Sequence, residues 1–100
     1  MKIKAVVKRN FLLFKQKEYY GTKVIMNDRT GKAFLYGIDD TQKFGDNEAD
    51  FYIMIDGKWY LFDHNIPISN RYNQLLLKAQ KEGFKNVFEY MQRPNKKATV

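Results

Sequence analysis

Residues 51–63 read FYIMIDGKWYLFD, and this stretch decides the fold. Two short apolar and aromatic runs lie on either side of Asp56 and Gly57. These two residue types suit a two-residue hairpin turn because both tolerate a positive φ. Such a turn pairs Ile55 with Lys58 and continues the pairing outward in steps of one residue on each strand. The stretch therefore predicts a β-hairpin over residues 50–63.

Both faces of this hairpin are apolar. Strand alternation gives the first face one set of side chains: Phe51, Ile53, Ile55, Tyr60 and Phe62. The second face carries the other set: Tyr52, Met54, Trp59 and Leu61. An antiparallel sheet that is open to water on one side has a polar face there. The second face is therefore either covered by other elements or presented to a partner.

The residues before the hairpin predict further strands. Residues 2–8 alternate in polarity, with Ile3, Ala5 and Val7 on one side and mostly lysines on the other. Lysines on an edge strand discourage pairing with other molecules, and a row of lysines can also bind polyanions. Residues 22–38 predict a second hairpin, because alternating segments flank the turn sequence NDRTG.

Three segments carry weaker patterns. Residues 11–14 form an apolar run that fits a short strand or a short helix, and Tyr19 and Tyr20 suit extended backbone. Residues 39–49 are the longest polar segment, which predicts a solvated loop. The carboxylates of this segment do not follow the spacing of an EF-hand calcium loop.

The C-terminal part of the sequence predicts a helix that begins near residue 69. One side of it would be apolar: Ile68, Tyr72, Leu75, Leu76 and Ala79. The opposite side would be polar: Arg71, Gln74, Lys78, Lys81 and Lys85. Ser69 or Asn65 would accept the first free N–H groups, and Gly83 would end the helix.

A second, shorter helix is indicated by Asn86 and Glu89, which have the spacing of a capping box. Its apolar contacts would come from four residues: Val87, Phe88, Tyr90 and Met91. The elements together predict an α+β fold. An antiparallel sheet of four to six strands, including the hairpins at 22–38 and 50–63, would be followed by two C-terminal helices packed on one face. Residues 1–91 would form one domain, and residues 92–100 a flexible basic tail.

The composition excludes several chemistries. The chain has no cysteine, so thiol nucleophiles, disulfides and thiolate metal sites are impossible. Ser69 is the only serine and His64 the only histidine, too few for a zinc site built on histidines or for a serine triad without further support. Asp50 and Asp63 flank the open end of the hairpin, where paired carboxylates could divide acid and base roles. We expect no enzymatic activity, no metal and no cofactor.

The sequence also bears on location. The first residues contain no apolar run of signal-peptide length, and no stretch approaches the length that spans a membrane. We therefore expect a cytoplasmic protein without a membrane partner.

The formal net charge of +7 is unevenly distributed. Residues 1–23 hold seven basic residues against one acidic residue, residues 24–63 hold four against eight, and residues 64–100 hold seven against two. If the two basic ends meet in the fold, they form a surface that attracts polyanions. Aromatic side chains on a sheet face can in addition stack on unpaired bases.

These features predict a small non-enzymatic module that binds nucleic acid, either single-stranded or through its backbone. The predicted contact residues are Lys2, Lys4, Lys8, Tyr52, Lys58, Trp59 and Arg71, with Tyr36 as a further stacking candidate. The alternative is an adaptor or inhibitor that covers a partner protein with the aromatic hairpin face, because aromatic residues concentrate binding energy. That face would be ringed by charged residues: Asp50, Asp56, Lys58 and Asp63. The oligomeric state stays open.

Overall fold

The computed structural model describes residues 2–8, 17–27, 29–37, 40–45 and 48–92. These ranges contain seven strands and two helices, and every strand pairing is antiparallel. The elements are β1 (Ile3–Val7), β2 (Glu18–Gly21), β3 (Lys23–Asn27), β4 (Lys32–Tyr36), β5 (Thr41–Phe44), β6 (Ala49–Ile55), β7 (Lys58–Phe62), α1 (Arg71–Lys81) and α2 (Val87–Gln92). The α+β prediction is confirmed. Residues 11–14 and, apart from Gln92, the predicted tail lie outside the described residues.

The hairpin at residues 50–63 has the predicted turn and register. β6 and β7 pair Ile55 with Lys58, as a two-residue turn requires. Asp56 and Gly57 have φ values of 50° and 81°, so both turn positions are left-handed, as in a type I′ turn. Local turn chemistry is therefore sufficient to set the pairing of these two strands.

The hairpin at residues 22–38 is also confirmed, as β3 and β4. The N–H of Gly31 donates to the carbonyl oxygen of Asn27 at 2.9 Å, and Gly31 has a φ of 67°. The Asn27 side chain accepts a hydrogen bond from the N–H of Arg29 at 3.0 Å. This bond fixes the start of the turn.

The strands form two sheets where the sequence predicted one. Sheet A has the order β2-β1-β6-β7, and sheet B has the order β3-β4-β5. The chain passes between the sheets at Gly21 and Thr22, where extended backbone bends sharply. A Cβ atom at Gly21 would lie 2.5 Å from the carbonyl oxygen of Tyr36. Only glycine allows this close approach, and the bend lets one run of strand serve both sheets.

The position of β1 corrects one interpretation. β1 lies inside sheet A, between β2 and β6. Its lysines therefore do not protect a sheet edge, because both sides of the strand are already paired. The expected direction of its side chains is correct: Ile3 and Ala5 are buried, and Lys4 faces the other way.

The polar segment at residues 39–49 was also misinterpreted, because it contains β5. Gln42 and Phe44 alternate with the exposed side chains of Thr41 and Lys43. The ring of Phe44 is buried and meets the ring of Phe51 edge to face, with the centroids 5.6 Å apart. Phe44 thus anchors β5 in the core, although the segment is polar on average.

The core lies between the inner faces of the two sheets and one side of α1. Its buried members are Ile3, Ala5, Ala33, Leu35, Phe44, Ala49, Phe51, Ile53, Phe62 and Leu77. Sheet A thus has one face in the core and one open face, and the same holds for sheet B.

α1 meets β7 through two side-chain carboxamides. The Asn73 Oδ1 accepts from the N–H of Asp63 at 2.7 Å, and its Nδ2 donates to the carbonyl oxygens of Asp63 and Pro67 at 3.1 and 2.9 Å. Gln80 repeats the pattern on Leu61, whose N–H donates to Oε1 at 2.8 Å and whose oxygen accepts from Nε2 at 2.7 Å. The helix is therefore tied to the strand backbone at two points.

The buried face of α1 differs from the predicted one, because Asn73 and Gln80 are turned toward the strand. The buried residues are Asn73, Leu76, Leu77 and Ala79. Tyr72, which was predicted to pack inward, is 45% exposed. The helix begins after Asn70, whose side chain accepts from the N–H of Tyr72 at 2.9 Å, so neither Ser69 nor Asn65 is the cap. Gly83, with a φ of 88°, ends the helix as predicted.

α2 packs against α1 and has an open apolar side. Asn86 caps it through a bond from the N–H of Glu89 at 2.8 Å, while the Glu89 carboxylate accepts from the N–H of Lys85 at 3.3 Å. Val87 and Tyr90 are buried, but Phe88 and Met91 are 72% and 67% exposed. Only half of the predicted apolar contacts of α2 therefore form.

Candidate nucleic-acid interface

The open face of sheet A gathers five of the seven predicted contact residues. Alternation along β1 and its ends places Lys2, Lys4 and Lys8 on one side of the sheet. Tyr52 faces the same way, because it pairs directly with Lys4. Trp59 joins them from β7, where it pairs with Met54.

The ammonium group of Lys4 lies in a cage of aromatic rings. Its Nζ is 4.6 Å from the ring centroid of Trp59 and 5.4 Å from that of Tyr52. A carboxylate oxygen of Glu18 lies 3.7 Å from the same Nζ. The hydroxyl of Tyr20 donates to Glu18 at 2.6 Å, and the Tyr20 ring lies 6.0 Å from Trp59. The charge of Lys4 is thus compensated within sheet A by Glu18, and its ammonium group covers the rings of Trp59 and Tyr52.

Lys2 is exposed on this face, whereas the remaining predicted residues are paired or lie elsewhere. The Nζ of Lys8 is 3.3 Å from a carboxylate oxygen of Asp50. Lys58 alternates to the opposite side of β7, at the hairpin turn, and Arg71 is exposed at the start of α1. The structure therefore does not join Lys58 and Arg71 to the aromatic face.

Two tyrosines on this face have raised pKa values. The hydrogen bond to Glu18, some burial and the charge of Glu18 raise the pKa of Tyr20 above the ordinary value of 10.0. Burial and the negative charge of Asp50 raise the pKa of Tyr52. In both cases folding favours the neutral phenol.

This shift predicts how stability depends on pH. A phenol with a raised pKa in the folded protein contributes stability that is full below the unfolded pKa and is lost as pH rises through the folded pKa. We expect the free energy of unfolding to fall as pH rises above about 10, the ordinary pKa of tyrosine, and to fall less steeply in Tyr52→Phe. Urea unfolding at each pH measures both slopes. Equal slopes in the two proteins would show that Tyr52 is not the group responsible.

The outer face of sheet B forms a second surface. Ala33 and Leu35 of β4 are buried, so their neighbours point outward. We call the following set the outer face: Lys23, Ile25, Asn27, Lys32, Phe34, Tyr36, Thr41 and Lys43. Tyr36 is 38% exposed, and Ile25 is similarly open. This face therefore presents apolar and aromatic area to solvent.

Each aromatic ring of the outer face has a lysine beside it. Phe34 pairs with Lys43 of β5 on one side and with Ile25 of β3 on the other. Tyr36 pairs with Lys23 of β3. Directly paired side chains on neighbouring strands are about 5 Å apart at Cβ. The face thus alternates flat rings with flexible cations.

The cations of this surface have no carboxylate partner among the described residues. Both ion pairs in the described part of the chain lie on sheet A. Asp40 precedes β5, but its carboxylate accepts from the Gln42 side chain at 3.0 Å, on the side of the strand opposite to Lys43. The four cationic side chains that lie on or beside this face are Lys23, Arg29, Lys32 and Lys43.

A pocket of about 450 Å³ opens on the outer face next to the β3–β4 turn. The described residues that line it are Ile25, Met26, Asn27, Arg29, Phe34 and Tyr36. The pocket combines an apolar floor with a guanidinium and a carboxamide. It is the place on this surface where a flat ring could be both stacked and hydrogen-bonded.

A smaller pocket of about 200 Å³ lies where β6 and β7 approach α1, and Asp50 and Asp63 both line it. Asp50 is paired with Lys8, and Asp63 accepts from the N–H of Asn65 at 2.9 Å. The His64 ring stacks on Phe51 with the centroids 4.3 Å apart. Each carboxylate therefore has its own local partner.

Of the outer face, the sequence prediction included Tyr36 alone. The missed residues include Phe34, Lys23, Lys32 and Lys43, together with Arg29 at the turn. Their signal was available in the alternation within residues 22–38, where Lys32, Phe34 and Tyr36 share one parity and a hairpin places Lys23 opposite Tyr36. Thr41 and Lys43 follow the same strand alternation, but residues 39–49 are polar on average, and this average indicated a loop.

Comparison with known proteins identifies no protein similar to this chain. No family model, no curated protein and no solved structure matches this chain. Within the described residues, no helix is long and apolar enough to cross a membrane, and no group of three or more metal-binding side chains occurs. The two surfaces must therefore be interpreted from their own geometry.

Proposed function

We propose that the protein binds single-stranded nucleic acid through the outer face of sheet B. The observation that carries this proposal is the arrangement of Phe34 and Tyr36, each beside a lysine on a neighbouring strand. Aromatic rings stack on unpaired bases of any type, because every base has a π-face. The lysines would neutralise the phosphates that link those bases.

A single strand fits this surface better than a duplex. In a duplex the base faces are stacked on one another, so rings on an open sheet cannot reach them. Phe34 and Tyr36 are two residues apart on one strand, which places them roughly 6.6 Å apart. Such rings can each take a base from an extended strand while the backbone runs past Lys23 and Lys43.

Charge favours sheet B over sheet A. On sheet A, phosphate binding would have to displace Glu18 from Lys4 and Asp50 from Lys8. It would also have to move the Lys4 ammonium away from the rings that bases would use. On the outer face of sheet B, phosphate binding would break no ion pair with a described carboxylate.

A protein partner on the open face of sheet A is the second candidate function. The observation that favours it is the mixture of paired charges of both signs around half-buried rings of Tyr52 and Trp59. Interfaces between proteins concentrate binding energy in aromatic residues of this kind. This surface is separate from the outer face of sheet B, so one chain could use both.

The proposal predicts binding to a short thymine or uracil strand at low salt, measured by fluorescence anisotropy. If Lys23, Lys32 and Lys43 each neutralise one phosphate, log K should fall with log salt concentration with a slope of about −2. Tyr36→Ala should weaken binding by about 5- to 150-fold, because one stacked base is worth about 1–3 kcal/mol. Lys43→Ala should make the salt slope shallower by about 0.7.

Matched controls lie on α1. Tyr72 is exposed to a similar degree as Tyr36, and Lys78 is exposed like Lys43, so Tyr72→Ala and Lys78→Ala should leave binding unchanged. Absence of binding at low salt would refute the proposal. A loss on Trp59→Ala equal to that on Tyr36→Ala would move the site to sheet A.

A further inference from the structure

We infer that the pocket beside the β3–β4 turn selects a guanine base from the bound strand. The inference rests on the proposed function, because the pocket lies on the same outer face. It concerns base selection, whereas stacking and phosphate contacts apply to any base.

The residues that line this shallow pocket have the chemistry to stack on a base. Phe34 and Ile25 pair across neighbouring strands and supply its apolar floor, and Tyr36 adds a second ring. Lys23, Lys32 and Lys43 do not line it, whereas Arg29 does. Arg29 is thus placed with the aromatic residues and apart from the cations expected to follow the phosphates.

Among the described residues, the polar side chains that line the pocket beside the turn supply mainly donors. The side-chain oxygen of Asn27 already accepts from the N–H of Arg29 at 3.0 Å. The side-chain NH₂ of Asn27 remains a donor, and the guanidinium of Arg29 offers five N–H donors and no acceptor. A base that fits here must present acceptors along one edge.

Guanine meets this requirement better than adenine or cytosine. Its N7 and O6 are adjacent acceptors that match the two parallel donors of an arginine side chain. Adenine places a donor next to N7, which opposes the guanidinium. Cytosine also has neighbouring acceptors, but its single ring covers less of the aromatic floor. The geometry therefore favours guanine over adenine by donor pattern and over cytosine by stacking area.

The test uses thymine strands of equal length that differ at one central position, which carries guanine, adenine, cytosine or 7-deazaguanine. A single guanine per strand prevents association of the strands with one another. We expect the guanine strand to bind about 5- to 150-fold more tightly than the adenine strand at the same salt concentration. The 7-deazaguanine strand should lose most of this gain, because it lacks the N7 acceptor.

Arg29→Lys keeps the charge but removes the paired donors, so it should abolish the guanine preference while leaving the salt slope unchanged. Arg71→Lys, on the exposed start of α1, should preserve the preference. Equal affinity for guanine and adenine strands in the wild-type protein overturns the inference and leaves nucleic-acid binding in place. Equal affinity for guanine and cytosine overturns it as well, and failure of every strand to bind refutes the proposed function itself.

Discussion

Replacement of Gly21 by alanine is expected to remove most of the stability of the protein. The added Cβ would lie 2.5 Å from the carbonyl oxygen of Tyr36 and 2.9 Å from the side chain of Leu35. That oxygen also accepts the N–H of Thr22 at 2.9 Å, so moving it away disrupts the hydrogen bond at the bend. Because both obstacles are backbone or buried core, we expect a loss of about 3 kcal/mol or more, at the upper end of overpacking effects.

Urea unfolding followed by circular dichroism measures this loss. The matched control is Gly45→Ala, where the nearest atom to a new Cβ is the Glu48 carboxylate oxygen at 3.4 Å. A flexible, exposed side chain can move aside, so the control should change stability by less than about 1 kcal/mol. If Gly21→Ala unfolds at the same urea concentration as the control, the close packing of the two sheets at this bend is wrong.

Replacement of Asn73 by aspartate is expected to have the second large effect. The two side chains have nearly the same shape, so the change leaves no cavity. The aspartate can no longer donate to the carbonyl oxygens of Asp63 and Pro67, and it faces them with oxygen. Asn73 is fully buried, and each unsatisfied buried group costs about 1–3 kcal/mol. We expect a loss of about 3 kcal/mol or more.

The control for this substitution is Gln74→Glu, the same change of chemistry one residue further along α1. Gln74 is exposed and donates to the carbonyl oxygen of Ile68 at 3.0 Å, so water can replace that bond. The control should lose less than about 1 kcal/mol. Thermal unfolding of the two variants side by side measures the difference. Similar losses would mean that the bonds from Asn73 to the β7 segment contribute little.

Much of the fold could be predicted from the sequence because its signals are local. Asp56 and Gly57 have the positive φ values of a type I′ turn, and a two-residue turn predicts the observed register of β6 and β7. The division into two sheets could not be predicted. It depends on the approach of Gly21 to Tyr36, a contact between residues that no short-range pattern connects.

The candidate site was missed for a related reason. Residues 24–63 are acidic on average, so the charge distribution along the sequence favours the basic ends of the chain as the binding surface. Strand alternation separates charges that an average combines, so Lys32 and Lys43 of this acidic segment share a face with Lys23. Conversely, Lys4 looked free in the sequence, because its partner Glu18 is brought near only by the pairing of β1 with β2.

The contact between α1 and β7 also governs how this protein can associate with copies of itself. A strand with open N–H and C=O groups will accept another strand from any source, which is the route to swapped dimers and fibrils. The peptide groups of a helix are bonded to one another and cannot satisfy such a strand. Here the side chains of Asn73 and Gln80 bond to the open N–H and C=O groups of Asp63 and Leu61. An added strand would have to displace these bonds at Leu61 and Asp63, which hinders growth of sheet A at β7 while α1 stays docked.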